Sequence, residues 1–193
     1  MSTDKFESIK IIKYRDLNND LKNGDLLLCS GEYLVSKLIK QVSNSQFSHV
    51  GFIVKWKGLS LLIESVEDDG VRIVPLEHYL NNYENTNKGY NGKLYIARHK
   101  QLNNDNVEKQ NKIIVKGLSL LNKNYDKSEI AQIVARIGLG LGKHKNNEEF
   151  ICSEFVDVCF KEADICFSSD EKGFIFPEHI AADPNVIPIA QLE

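Results

Sequence analysis

The sequence has no long uninterrupted apolar segment and no concentration of positive charge. A membrane-spanning helix needs about 20 consecutive apolar residues, and the most apolar stretches here are broken by charged residues such as Lys55 and Arg136. The 24 basic and 27 acidic residues give a net charge of −3 and are scattered along the chain. We therefore expect no transmembrane segment and no binding to nucleic acid.

The sequence also lacks the residue spacings of common metal and redox sites. Its histidines show no i, i+4 pair of the kind that binds zinc on a helix. Its cysteines do not form the paired C-x-x-C spacing of zinc or redox sites, and they are Cys29, Cys152, Cys159 and Cys166. We expect reduced thiols, no metal and no cofactor.

The length and composition are those of one folded domain. The chain has 193 residues, of which 42% are hydrophobic, and it contains no repeat or low-complexity tract. We expect a single domain over residues 1–193, with residues 1–22 as an N-terminal extension. The segment from Met1 to Glu7 carries acidic side chains and no apolar signal sequence, so we expect a cytoplasmic protein.

The first half of the chain has the patterns of β-strands and the second half those of helices. Apolar runs and alternations are separated by tight turns such as Lys57-Gly58 and Asp68-Asp69-Gly70. Strands first and helices later predict an α+β domain, with an antiparallel sheet of four to five or more strands. The strands are predicted at residues 26–29, 49–56, 59–66, 71–74 and 93–98, a helical turn at 76–80, and helices near 32–42, 105–121, 130–141 and 148–163.

Cys152 is predicted in the first turn of the last helix. A helix N-terminus presents unpaired N–H groups and the positive end of the helix dipole, and both favour the thiolate form. Because His49 opens a predicted strand, the pair suggests a cysteine nucleophile with a histidine base. The other interpretations are that Cys152 is a small core side chain between Ile151 and Phe155, and that His49 only ends a strand.

Glu64 lies late in the strand that follows His49. A hairpin that turns at Lys57-Gly58 has its centre close to the midpoint between residues 49 and 64. We therefore expect His49 and Glu64 to lie opposite each other on one face of the sheet. A carboxylate that follows an apolar run normally needs a partner, although a solvated strand end also fits this position.

Four segments occur in an order that resembles a known superfamily. They are residues 24–28 (GDLLL), 48–52 (SHVGF), 63–65 (IES) and 150–155 (FICSEF). This order resembles the circularly permuted branch of the NlpC-type papain-like superfamily, which includes YiiX-like bacterial proteins and lecithin:retinol acyltransferase relatives. In ordinary papain-like enzymes the cysteine helix precedes the histidine strand, whereas here the histidine comes first. The resemblance covers residues from about Asn23 to Pro188 and implies a permuted papain-like fold.

The resemblance also implies roles for individual residues. Cys152 is the nucleophile, His49 is its base, and Glu64 orients the imidazole, which makes a Cys-His-Glu triad. The backbone N–H of Cys152 is the first candidate donor to the oxyanion. The candidates for a second donor follow the first predicted strand and are Ser30, Gly31 and Tyr33, of which Tyr33 fits the core equally well.

The function that this resemblance implies is a cysteine-dependent hydrolase (a peptidase or amidase) or an acyltransferase. It would cleave an amide or ester through a thioacyl-enzyme intermediate. The expected substrate is an acylated amino acid, a small peptide or a lipid, so peripheral contact with a membrane stays open, as does the oligomeric state. The residues that either line an acyl groove or pack between helices are Ile133, Ile137, Leu139 and Leu141. The alternative is a catalytically inactive papain-like module that binds a ligand in the same cleft.

Overall fold

The computed structural model describes residues 3–32, 36–37, 40, 45–103, 106–124, 151–171 and 173–193. Short 3-10 turns lie at Asp4–Phe6, Tyr83–Asn85 and Lys100–Leu102. The strands of the described residues are β1 (Ile11–Ile12), β2 (Leu26–Gly31), β3 (His49–Trp56), β4 (Leu59–Val66), β5 (Gly70–Pro75), β6 (Gly92–His99) and β7 (Val186–Leu192). The helices are α1 (Tyr14–Leu17), α2 (Glu77–Asn81), α3 (Val107–Ser119), α4 (Cys152–Lys161) and α5 (Pro177–Ala182).

The strands of the described part of the chain form one seven-stranded sheet in the order β1-β7-β6-β2-β3-β4-β5. Neighbouring strands are antiparallel except for β1 and β7, which run parallel. This α+β architecture with a largely antiparallel sheet confirms the predicted fold class. The five predicted strands correspond to β2 to β6, and the helical turn predicted at residues 76–80 corresponds to α2.

Both faces of the central strands are buried. Leu26 and Leu28 of β2 pack in the cluster that also holds the side chains of α4, whereas Leu27 and Cys29 pack in a second cluster on the opposite face. Because successive side chains of a strand point to opposite faces, the continuous apolar run of β2 supplies both clusters. Strands with this pattern are the ones that occupy the middle of a covered sheet.

The β3–β4 hairpin turns at Lys57 and Gly58, as the sequence predicts. Both residues have positive φ angles of 47° and 86°, which is the backbone of a type I′ turn that suits the twist of a hairpin. Phe52 pairs with Ile63 in this hairpin, so the next position places Glu64 beside Gly51 rather than opposite His49. The predicted register was therefore wrong by two residues, because the turn is centred one residue later than the midpoint assumed for it.

The predicted helices agree with the structure where it describes them. α3 lies within the predicted span 105–121, and α4 begins at Cys152 rather than near residue 148. The predicted helix at 130–141 lies outside the described residues. Within the predicted helix at 32–42, the structure describes helical backbone at residues 36–37 and 40.

Two structural elements near the C-terminus were not predicted from the sequence. α5 is only six residues long, and β7 contains Pro188, which cannot donate a backbone hydrogen bond to a sheet. Pro188 pairs with Ala97 where the β6–β7 register shifts, and such an irregularity tolerates a proline. β7 also binds β1, and Phe6 packs its ring against Phe47 and Tyr95.

In the part of the chain that the structure describes, no helix is both long enough and apolar enough to span a membrane.

Candidate active site

His49 and Glu64 lie on neighbouring strands and are in direct contact. The imidazole Nε2 of His49 is 2.6 Å from Oε2 of Glu64. They are diagonal neighbours, because the residue beside Glu64 is Gly51, which shares its sheet face with His49. Gly51 has no side chain to occupy the space between them, and a Cβ there would lie 3.1 Å from Cβ of Glu64 and 2.9 Å from the carbonyl oxygen of Ile63.

The Glu64 carboxylate is fully buried and has three hydrogen-bond partners. Besides His49, the hydroxyl of Tyr79 donates to Oε2 at 2.6 Å and Nε of Arg72 donates to Oε1 at 2.9 Å. Burial alone would raise the pKa of the Glu64 carboxyl, but His49, Arg72 and Tyr79 together hold this pKa below its usual value. The carboxylate is therefore ionised in a buried position.

Cys152 is the first residue of α4 and packs in the core cluster that contains Phe52, whereas Glu64 shares its face of β4 with Leu62 of the second cluster. α4 packs its buried Phe155 and Phe160 rings against Phe52, which fixes the helix on the sheet. Glu154 Oε2 accepts a hydrogen bond from the backbone N–H of Ile151 at 3.4 Å, which caps the helix start. The N-terminus of α4 thereby lies where β3 begins, and Cys152 comes within hydrogen-bond reach of His49.

The electrostatic state of His49 depends on both of these neighbours. Burial lowers the pKa of its imidazole, whereas the hydrogen bonds and charges of Cys152 and Glu64 raise it, and the resulting pKa is about 10. Since Nε2 is bound to Glu64, Nδ1 is the ring atom that remains for Cys152. The imidazole therefore stays protonated between a sulfur atom and a carboxylate at neutral pH.

A cavity of about 440 Å³ opens beside His49. Its wall includes the phenol rings of Tyr79, Tyr83 and Tyr90, which contact one another with centroids 4.9 to 5.4 Å apart. Its rim carries the acidic residues 67–69 of the β4–β5 turn and Glu84. This lining is polar and aromatic.

The candidate oxyanion donors after β2 have different surroundings. Ser30 is half-buried at the end of β2, and Tyr33 lies outside the described residues. The backbone N–H of Gly31 already donates to Oγ of Ser48 at 3.1 Å. A Cβ at Gly31 would lie 2.2 Å from the Tyr90 hydroxyl, so close packing explains the glycine. The N–H of Cys152 lies in the first turn of α4, where backbone donors have no partner within the helix.

The other cysteines and histidines of the described residues lie in different surroundings. Cys159 is fully buried in the core, and burial raises its pKa. Cys166 is exposed, and all four thiols are free. Cys29 is buried opposite His49 in the β2–β3 pair, and burial raises its pKa well above the usual value. Among the described histidines, His99 and His179 accept backbone hydrogen bonds through Nδ1.

Two partners of Glu64 were missed by the sequence reasoning. Arg72 is directly opposite Glu64 in the β4–β5 pair, and counting residues outward from the Asp68-Asp69-Gly70 turn would have identified it. Tyr79 belongs to α2, a helix of five residues whose position depends on tertiary packing. No local pattern in the sequence points to that contact.

One solved structure with a similar fold is that of the metalloprotein YiiX from Escherichia coli O157:H7. It is 21% identical, with a TM-score of 0.55, and the match covers 89% of the present chain and 97% of YiiX. The two proteins therefore share a similar fold over nearly the full length of both chains. Across the residues described for the present protein, no group of three or more histidine, cysteine, aspartate or glutamate side chains is placed to hold a metal ion.

Comparison with known sequences gives the family. None of the curated proteins compared matches this sequence. The family model of permuted papain-like amidase enzymes, YaeF/YiiX, C92 family, matches residues 20–185, which is most of the chain. The order of the histidine strand and the cysteine helix, the sheet and the YiiX likeness agree with that match. The chain belongs to the C92 family of permuted papain-like amidases, and its function is therefore of the cysteine hydrolase type.

Proposed function

We propose that this protein hydrolyses an amide bond through a thioacyl intermediate, with Cys152 as nucleophile, His49 as general base and acid, and Glu64 as the residue that orients His49. One observation carries the proposal: the imidazole of His49 lies between the thiol at the start of α4 and a buried carboxylate 2.6 Å from Nε2. Nucleophilic acyl transfer requires a thiol that contacts an imidazole, and an acceptor on the far side of the imidazole that orients it. The three side chains are arranged in that order.

Each step follows from the contacts of the three residues. The proton between Cys152 and Nδ1 of His49 resides on the imidazole, and the Cys152 thiolate attacks the carbonyl carbon of the substrate. The developing oxyanion accepts a hydrogen bond from the backbone N–H of Cys152 at the helix start. The imidazolium then protonates the leaving amine and the thioester forms. A water molecule, deprotonated by His49, attacks the thioester and releases the acid.

The cavity beside His49 favours one kind of substrate group over another. Tyrosine hydroxyls and carboxylates line it, and such groups solvate a polar fragment better than an alkyl chain. We infer that the part of the substrate next to His49 is polar, as in an amino acid or a peptide. The transfer of the acyl group to an amine, instead of water, would use the same thioester.

The test combines turnover with covalent trapping. Wild-type protein and Cys152→Ala are incubated with a panel of acyl-amide and ester substrates, and intact mass is recorded during turnover. We expect hydrolysis and a thioacyl adduct on the wild type only, with the same circular dichroism spectrum for both proteins. Cys159→Ala is the matched control, because Cys159 lies on the same helix but packs in the core. Turnover by Cys152→Ala would disprove the mechanism.

A labelling experiment separates the enzyme from a catalytically inactive binding module. Cys166 is replaced by serine, because it is exposed and would react through accessibility alone. Iodoacetamide at neutral pH should then modify Cys152 before Cys29 and Cys159, although all three are buried. Equal and slow modification of the three thiols would favour the binding module.

A further inference from the structure

A row of polar contacts crosses three adjacent strands at the candidate active site. Glu64 of β4 contacts His49 of β3 on one side and Arg72 of β5 on the other. Glu64 and Arg72 are paired residues in the β4–β5 ladder, so the sheet register itself brings them together. The side chain of Arg72 is only 13% exposed, which makes the contact an internal ion pair.

The guanidinium of Arg72 is held by three carboxylates. Nε donates to Glu64 at 2.9 Å, one terminal nitrogen donates to Asp69 at 2.6 Å, and the other donates to Glu84 at 2.8 Å. Asp69 belongs to the β4–β5 turn and Glu84 to the segment after α2. A planar group bound in three directions has a fixed orientation, so Oε1 of Glu64 has a fixed partner.

Tyr79 restricts the other carboxylate oxygen. Its hydroxyl donates to Oε2 of Glu64 at 2.6 Å, the same oxygen that contacts His49. The Tyr79 ring also lies nearly parallel to the imidazole, with an interplanar angle of 11° and centroids 6.4 Å apart. Arg72 and Tyr79 together leave the carboxylate one rotational position, in which Oε2 faces Nε2 of His49.

The charge of Arg72 has a second consequence. Arg72 helps to lower the pKa of Glu64, so without Arg72 the carboxylate would compete more strongly for a proton, and the nearest proton is that of the His49 imidazolium. A neutral imidazole could neither stabilise the Cys152 thiolate nor protonate a leaving group. The titratable and charged groups that face this pair are Cys152, Cys29, Tyr79 and Arg72, with Asp69 and Glu84 behind Arg72.

We propose that Arg72 and Tyr79 are positioning residues of the active site, which act through Glu64 to keep the proton on His49 and to aim the imidazole at Cys152. The inference rests on the proposed function, because it concerns the catalytic state of the same histidine. Neither residue touches the reacting atoms. They change the fraction of molecules in which His49 is both protonated and oriented toward Cys152.

The direct readout is the titration of His49 followed by nitrogen-15 NMR of the imidazole, with His49→Gln to assign the signals. In the wild type, His49 should lose its proton near pH 10. In Arg72→Met this transition should fall by about one pH unit or more, since a charged hydrogen bond to Glu64 is lost. Tyr79→Phe removes one oxygen atom and should shift the transition in the same direction by less.

Arg72→Lys separates charge from geometry. The ammonium keeps a positive charge beside Glu64, so the His49 transition should return most of the way to the wild-type value. An ammonium cannot reproduce the three-way contact of the guanidinium, so the rate of Cys152 alkylation at neutral pH should stay below wild type. Arg72→Met should lower that rate on the order of tenfold to a hundredfold, as the loss of an outer partner of a functional side chain does.

The matched control is Arg98→Met. Arg98 also pairs with a fully buried carboxylate, Asp25, but has no hydrogen bond to Glu64. This variant should lose stability while its His49 transition and its alkylation rate stay at the wild-type values. An equal shift of the His49 transition in Arg98→Met and Arg72→Met would show a general loss of packing and overturn the proposal.

The remaining outcomes are also decisive. A His49 transition that is unchanged in Arg72→Met overturns the inference while leaving the triad intact. If Arg72→Met fails to fold, Tyr79→Phe decides, and an unchanged transition there overturns the inference. Wild-type Cys152 that reacts no faster than Cys159 overturns the proposed function itself, and the inference with it.

Discussion

Two carboxylates in the described part of the chain, Asp25 and Glu64, are fully buried and bind an arginine, yet their surroundings differ. Asp25, just before β2, receives two hydrogen bonds from Arg98 at 2.6 and 2.8 Å and one from the backbone N–H of Lys22 at 2.8 Å. Glu64 receives one from Arg72 and one from Tyr79, and it also contacts His49. Both pairs join neighbouring parts of the sheet.

The difference between them is the third partner. Burial raises the pKa of Asp25 in spite of Arg98 and Lys22, whereas the neighbours of Glu64 outweigh burial and lower its pKa. The partner that distinguishes Glu64 is His49, a group that can itself exchange a proton. A buried acid with an arginine is a structural pair, and it becomes part of a candidate active site only when it also holds a titratable side chain beside a nucleophile.

The strongest way to break the comparison is to remove His49. In His49→Ala, Glu64 keeps Arg72 and Tyr79 and becomes a structural pair like Asp25. We expect hydrolysis of the best substrate in the panel to fall on the order of 10⁴-fold or more, because the proton acceptor is lost. His99→Ala is the control, since His99 is buried but has no contact with Glu64. Turnover near the wild-type rate in His49→Ala would contradict the triad.

Replacing the two acids by their amides should give opposite phenotypes. Glu64→Gln should lower turnover roughly 10²- to 10⁴-fold, because an amide cannot stabilise an imidazolium. Asp25→Asn should keep the turnover per folded molecule and lose on the order of 2 kcal/mol of stability, less than a fully buried pair would lose because Arg98 is partly exposed. Turnover and thermal melting are measured on the same samples. Equal loss of turnover in both variants would show that the distinction is wrong.

The pH dependence of turnover sharpens the comparison further. In the proposed mechanism the imidazolium of His49 protonates the leaving group, and with a pKa of about 10 it persists from neutral pH into the alkaline range. The wild-type rate should therefore fall as pH rises through about 10. Burial lowers the pKa of His49, while Cys152 and Glu64 raise it, so in Glu64→Gln the alkaline fall should begin at lower pH. Superimposable alkaline limbs would mean that Glu64 does not act on His49.

The smallest expected effect is the pH dependence of stability at acidic pH. The pKa of Glu64 is lowered by folding, so its contribution is present above the unfolded value and is lost as pH falls. The pKa of Asp25 is raised, so its contribution is lost as pH rises. Between about pH 3 and 6, the melting difference from wild type should shrink toward acid for Glu64→Gln and toward neutral pH for Asp25→Asn. Parallel trends in the two variants would contradict the assigned directions.

The elements that were predicted correctly are those with strong local patterns. β2 to β6 and α3 have apolar runs or periodicities bounded by turns, and their bounds agree with the structure to within a few residues. β7 has no such signal, because Pro188 interrupts it and its partners β1 and β6 are far away in the sequence. Non-local pairing of this kind depends on the completed sheet.

At the candidate site, the local sequence suggested the residues but not their geometry. Cys152 was expected at a helix start, and α4 does begin there. His49 and Glu64 were expected to lie close together, and they do, but as diagonal neighbours with Gly51 beside Glu64. A shift of one residue in the centre of the turn was enough to change which residues face each other.

The sequence by itself determined strands β2 to β6, the position of the hairpin turn and the order in which histidine and cysteine follow each other, because each depends on local propensity and spacing. The tertiary structure decided which charges meet. Arg72 reaches Glu64 through the β4–β5 register and Tyr79 reaches it from α2, while α4 brings Cys152 to His49. These contacts arise because packing and strand register bring distant residues together, and the charge state of a buried group depends on every neighbour it meets there.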